Sequence, residues 1–304
     1  MIRQGMSSAN HQPLRGLFWM VVTGLCFVAV TALVKILDGA IPAAEAAFLR
    51  YVIGLVFLIP MIPTLRRLDL NRRQWGLSGL RGFVHALGVI LWFFAMSRIP
   101  IAEVTAMNYL TPIYVSVLAV MFLGERMAFR RILAVVAAFA GALLILRPGF
   151  RVLDLGHIAM LGTALSFSVS YLIAKIQSEE MSAAVVVMLL SIFVTFGLAP
   201  FAALDWVWPT LWQLLILFGV ACFATAGHYT MTLAFSMAPV TVTQPITFLQ
   251  LVWSILVGAV FFAEPLDPWV ALGGAVIVAA LSFITWREAV LKRRVTPSVN
   301  ATKS

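Results

Sequence analysis

Windows of about twenty mostly apolar residues, the length a helix needs to cross a bilayer, follow one another along the whole chain with short polar breaks between them. They predict ten transmembrane helices, at roughly 16 to 36, 43 to 63, 76 to 97, 101 to 123, 130 to 147, 156 to 176, 183 to 203, 211 to 236, 240 to 262 and 269 to 287. The breaks are tight and carry turn residues, as in Asp38-Gly39-Ala40-Ile41-Pro42 and Glu264-Pro265-Leu266-Asp267-Pro268, so no soluble domain is inserted. The expected fold class is an all-α integral membrane protein.

The pattern is written twice. Pro100 to Glu125 reads PIAEVTAMNYLTPIYVSVLAVMFLGE, and 139 positions later Pro239 to Glu264 reads PVTVTQPITFLQLVWSILVGAVFFAE. At the same offset Gly88 meets Gly227, Ala95 meets Ala234 and Ser97 meets Ser236. At an offset of 140, Gly16 meets Gly156, Thr23 meets Thr163, Phe27 meets Phe167 and Lys35 meets Lys175. A duplication with five spans per copy makes the second copy enter the membrane from the opposite side, which predicts inverted-topology repeats.

Polar residues inside the spans are the next signal, because hydrocarbon penalises them unless they face protein or water. On the ninth span Thr243, Gln244, Thr247, Gln250 and Ser254 share one face, and on the fourth Thr105, Asn108, Tyr109, Pro112 and Ser116 do. For Thr and Ser the expectation is helix-to-helix hydrogen bonding. For Gln244, Gln250 and Asn108 it is the lining of a cavity near the midplane. Pro112 and Pro245 each remove a backbone donor inside those spans. Gly141 and the pair Gly273-Gly274 mark close helix contacts. Trp92, Trp253, Tyr109, Tyr114 and Tyr171 offer stacking faces to a planar substrate.

Arg50 reads as the one strongly charged residue well inside a span. Its guanidinium needs an anionic ligand, a carboxylate or backbone carbonyls; pairing with Glu45 and snorkelling outward are the structural alternatives. His85 and His228 are candidates for carrying a proton, or are imidazoles bonded to carbonyls, with His228 the better functional candidate because Gly227, Tyr229, Thr230 and Thr232 surround it. Glu125 and Glu264, at span ends, read as structural groups meeting helix N-termini. No span carries a chain of carboxylates, so the coupling proton or ion is left open.

Composition changes the picture only by exclusion. With 62% hydrophobic and 11% charged residues in 304, the chain has too little polar surface for a soluble globule. The net charge of +9 is gathered between spans, where orientation explains it and a nucleic-acid partner does not. Arg3, Arg15, Arg66, Arg67, Arg72, Arg73, Arg126, Arg130, Arg131, Lys292, Arg293 and Arg294 fall on one side, which predicts an inner-membrane protein with both termini cytoplasmic. Arg98, Arg147 and Arg151 on the other side weaken that topology. Cys26 and Cys222 lie inside spans without metal-ligand spacing, so neither a disulfide nor a metal is expected, and no cofactor is implied. The run behind MIRQGMSSANHQPLR is too long for a cleaved signal peptide.

The stretches FLRYVIGL, GLRGFVHALGVILWFFAMSRIPIAEVTAMNYLTPIYVSVLAVMFLGERM, ALLILRPG and TLAFSMAPVTVTQPITFLQLVWSILVGAVFFAEP resemble the drug/metabolite transporter superfamily, in particular its ten-helix members built from two EamA domains. The resemblance covers Leu14 to Glu288. It implies a secondary active transporter that alternates a central cavity between the two membrane faces and carries a small metabolite, such as an amino acid, a vitamin or a nucleoside-like solute. The expected organisation is an N-terminal tail (1–15), a first repeat (16–148), a second repeat (156–287) and a C-terminal tail (288–304). The expected substrate-binding residues are Arg50, Asn108, Tyr109, His228, Gln244, Thr247, Gln250 and Trp253. An intramembrane enzyme and a non-transporting membrane protein are the rival readings, but no GxSxG, HExxH or Asp pair lies in the spans. Oligomeric state is not legible.

Overall fold

The computed structural model describes residues 13–61, 63, 69–123, 129–150, 152–178, 180–237, 246 and 248–295. Its elements are helical throughout: α1 (Pro13–Ile36), α2 (Ala43–Leu55) with a 3-10 turn (Val56–Met61), α3 (Arg72–Arg98), α4 (Ile101–Asn108), α5 (Leu110–Leu123), α6 (Phe129–Leu146), α7 (Leu155–Ser178), α8 (Ala183–Ala202), α9 (Leu211–Met237), α10 (Phe248–Phe262) and α11 (Pro268–Val295). Among the described residues eight helical stretches are long and apolar enough to cross a bilayer, and Ile132–Leu146 and Leu249–Phe262 are apolar but shorter.

Two windows read as continuous helices are interrupted, and proline is the cause each time. Proline has no N–H to give the carbonyl four residues back and its ring crowds that carbonyl. Pro60 sits four residues after Val56, where the α-helix gives way to the 3-10 turn. Pro112 sits four residues after Asn108, the last residue of α4. There the Tyr109 N–H turns instead to the Ala106 carbonyl at 3.3 Å, and α5 starts afresh.

The bundle packs α1 mainly on α9, α3 on α7 and α8, α6 on α11, α2 on α8 and α9, and α10 on α1 and α4. The contact of α6 with α11 is backbone against backbone: a Cβ on Gly141 would lie 2.7 Å from the Gly273 carbonyl oxygen. Only glycine permits that approach, as the sequence pattern suggests. Leu133, Val136, Phe196, Phe218, Val260 and Phe261 stay exposed around the outside, the surface a bilayer would cover. The bundle has a terminal end, where α1 begins and α11 finishes, and a far end, where α1 and α3 finish and α4, α7 and α11 begin.

Candidate functional site

The interior holds a cluster of cations and rings. Arg50 and Tyr51 come from α2, Arg81 and His85 from α3, Tyr171 from α7 and His228 from α9, near enough for their charges to act on one another. The Arg50 guanidinium lies 4.1 Å from the Tyr51 ring centroid. His85 stacks on Phe167 at 4.6 Å and accepts from or donates to the Ser170 hydroxyl at 3.1 Å. Trp92 stands edge-on to Phe167 at 6.2 Å, and His228 edge-on to Phe27 at 5.3 Å. Tyr171 is 43% exposed, and His228 is exposed as well. Apart from Glu288, in the last third of α11 toward the terminal end, every described Asp and Glu lies in a loop or in the first turn of a helix, and no ion pair joins a described carboxylate to Arg50.

One expectation is corrected here. Arg50 is not the one charged residue well inside a span, because Arg81 lies nine residues into α3 and is 5% exposed. Its guanidinium donates to Gln177 Oε1 and to the Val186 carbonyl, both at 3.1 Å, and Gln177 donates to Ser78 Oγ at 2.8 Å. Arg81 thus ties α3 to α7 and α8. Nor does Glu45 neutralise Arg50: it is fully buried and accepts from the Val207 N–H at 2.9 Å.

The other expected residues are scattered over the fourth and ninth spans. Asn108 is half-buried at the end of α4, its Oδ1 3.5 Å from Thr111 Oγ1. Tyr109 is buried at the break, its hydroxyl hydrogen-bonded to the backbone of Leu251. Gln250 packs over Gly24 of α1, where an added Cβ would meet the Gln250 Cβ at 3.4 Å. Trp253 is half-buried, with a ring N–H that has no hydrogen-bond partner among the described residues. Gln244 and Thr247, with Thr243, Pro245 and Glu125, lie outside the described residues. The polar faces of α4 and α10 do meet, through Thr105 Oγ1 and Ser254 Oγ at 2.7 Å, as expected for hydroxyl side chains.

The far end is a second polar region. A cavity of about 290 Å³ is lined there by Arg98, Glu103, Asp154, His157, Glu264 and Asp267, among others. Local backbone geometry aims Glu264 into it. Ala263 takes a positive φ of 52° and the Glu264 N–H bonds back to the Gly258 carbonyl at 3.0 Å, reversing the chain at the end of α10. The carboxylate then lies 2.6 Å from Lys35 Nζ and accepts the Ile101 N–H at 2.9 Å, while Lys35 donates to the Ile99 carbonyl at 2.9 Å. One carboxylate thereby joins α1, α10 and the N-terminus of α4, the structural role expected of it.

Arg98 clasps Asp154 with two hydrogen bonds of 2.8 and 3.0 Å, and Arg147 pairs with Asp267. The Arg98 bonds, followed by the Gly156 N–H, hold the Asp154 carboxyl below the usual carboxylate range. At the terminal end Arg73 and Gln74 do the same to Glu180. Sequence reasoning missed Glu103 and His157, 3% and 4% exposed, whose Oε2 and Nε2 lie 2.5 Å apart. They stand 54 positions apart on α4 and α7, and no spacing rule joins them.

A family model for EamA-like transporters matches residues 14–147 and 154–286. The riboflavin transporter of Vibrio cholerae is 29% identical over 295 residues, covering 94% of this chain and 98% of that protein. The riboflavin transporter of Rhizobium johnstonii is 30% identical over 277 residues, covering 90% and 91%. The S-adenosylmethionine uptake transporter of Rickettsia bellii is 26% identical over 276 residues, covering 90% and 94%. A solved crystal structure with 19% identity superposes with a TM-score of 0.57 over 93% of this chain and 98% of its own, a likeness of fold.

Proposed function

The chain belongs to the EamA-like transporter family, which sets the enzyme reading aside, and from that premise we propose that it is a secondary active carrier of a flat aromatic metabolite, uncharged or anionic, moved by alternating access. Arg50 carries the reading: a guanidinium 4.1 Å from the Tyr51 ring and within electrostatic reach of His85 and His228, near the stacked rings of His85, Phe167 and Tyr171, with no described carboxylate paired to it. Such a surface stacks a planar ring and donates to its carbonyl or anionic groups. It repels the sulfonium cation of S-adenosylmethionine and suits the tricyclic ring of riboflavin. Arg50 and His228 hold the ligand in this reading, and Gln250 lines the same path. In sealed liposomes containing the purified chain, labelled riboflavin is expected to exchange in counterflow, with S-adenosylmethionine a poor competitor. Exchange of S-adenosylmethionine without riboflavin would sink the assignment.

Ten spans in two inverted repeats, 16–148 and 156–287 with short tails outside them, complete the reading. The packing supports it: α1 on α9 has its counterpart in α7 on α3, and the fifth and tenth spans, α6 and α11, pair with each other, an exchange expected of a two-fold axis in the membrane plane. Arg72, Arg73 and Arg130 at the terminal end and carboxylates at the far end favour cytoplasmic termini in an inner membrane. Cysteines placed near Pro42 and Pro268 are expected to react with an impermeant reagent from outside, and one near Arg72 is not; the reverse pattern would invert the topology.

A further inference from the structure

We propose that Glu103 and His157 are the site at which this carrier takes up a coupling proton, an inference that rests on the transport reading above. The pair lines the far-end cavity, so water reaches it, yet both side chains are almost wholly enclosed. The imidazole is placed to be satisfied in two protonation states. Its Nε2 faces Glu103 Oε2 at 2.5 Å. Its Nδ1 lies 3.1 Å from the Asp154 N–H and 3.2 Å from the Asp154 carbonyl oxygen.

With Nδ1 bare, the neutral ring accepts the Asp154 amide and donates Nε2–H to the Glu103 carboxylate, and the pair carries one negative charge. A proton arriving from cavity water bonds to Nδ1, which then donates to the Asp154 carbonyl, and the pair becomes neutral. Each state keeps a partner on both ring nitrogens. Histidine is the side chain suited to such an exchange near neutral pH.

The described cations bordering this region are each held by another carboxylate. Arg98 from the end of α3 is clasped by Asp154, Lys35 from α1 by Glu264 beyond α10, and Arg147 after α6 by Asp267 before α11. Glu103 rides in the first turn of α4, whose Ile101 N–H is held by Glu264. Loading the proton therefore changes the attraction between α4 and α7 where ion pairs join the far-end segments, which gives the proton a means of biasing the carrier between its two faces.

The test uses the full chain in liposomes of phosphatidylethanolamine and phosphatidylglycerol, with riboflavin as the probe and a pH step of one unit across the membrane. One coupled proton shifts the steady-state distribution of riboflavin away from unity by up to about tenfold. In Glu103→Gln and His157→Gln that ratio returns to one, whereas Glu103→Asp keeps part of it. In parallel, the reactivity of a cysteine placed near Pro268 with an impermeant reagent, a measure of how often the far end opens, is followed per folded molecule across the neutral pH range. Its pH dependence disappears in both Gln variants, whereas a pair that only stabilises the fold leaves that reactivity independent of pH in the unsubstituted chain. If riboflavin does not exchange at all but the pH dependence behaves as stated, the cargo assignment fails and the proton site stands. A wild-type ratio of one with riboflavin exchanging, or Gln variants that keep the wild-type ratio or the wild-type pH dependence, overturns the proposal.

Discussion

Arg50 and Arg147 are the same side chain put to different use in the middle and at the far end of one bundle. Arg147 pairs with Asp267, and the two side chains are 27% and 20% exposed. Arg98 likewise holds Asp154, and Arg73 holds Glu180. Each of these guanidiniums joins two segments far apart in the chain. Arg50 meets a tyrosine face and two imidazoles within electrostatic reach, where a carboxylate would be the ordinary neutraliser of a charge at that depth. Charge at the ends of the bundle is consumed in holding helices, and in the proposed reading the Arg50 charge in its middle is left for a ligand. Arg81 adds a third case: it is interior like Arg50, but Gln177 and the Val186 carbonyl occupy its donors.

Removing Arg50 breaks this contrast most directly and carries the largest expected effect. Arg50→Ala should lower riboflavin flux about tenfold to a hundredfold, the cost of one lost charged hydrogen bond to the substrate, with little change in thermal midpoint. Arg50→Lys should recover part of the flux, since an ammonium keeps the charge and loses the planar fork. Should Arg50→Ala unfold the protein while flux per folded molecule holds, the guanidinium is structural and the contrast fails.

Arg147→Ala is the converse and of intermediate size. It should cost about 1.5 to 3 kcal/mol of stability, as for a partly buried charged hydrogen bond, measured by thermal or denaturant unfolding in detergent, while riboflavin exchange per folded molecule persists. Loss of exchange at unchanged stability would move Arg147 from the scaffold to the transport path.

The smallest effect belongs to the pair Arg98 and Asp154, whose side chains are 43% and 34% exposed. Because Arg98 depresses the Asp154 pKa, the stabilisation is present at neutral pH, above the unfolded-state carboxyl value, and is lost as pH falls through the lowered folded-state value. Asp154→Asn should remove that acid-dependent component of the thermal midpoint and change it little otherwise. An acid profile identical to wild type would show that the clasp adds no pH-dependent stability.

Hydropathy is a local property summed over about twenty residues, and this is why the membrane class and the positions of the apolar stretches could be read from the sequence alone, while the family came from the resemblance of particular stretches such as FLRYVIGL and ALLILRPG. Pro112 breaking the fourth span four residues upstream is local in the same sense, as is Gly141 meeting Gly273 once helix packing is assumed. The tertiary structure alone decided which polar groups find one another. Glu103 meets His157 across 54 positions and Ile101 meets Glu264 across 163, contacts fixed by how α4, α7 and α10 converge and by the positive φ at Ala263. The Arg81 charge was legible inside the third predicted span, but that its donors reach Gln177 and the Val186 carbonyl was decided by packing alone.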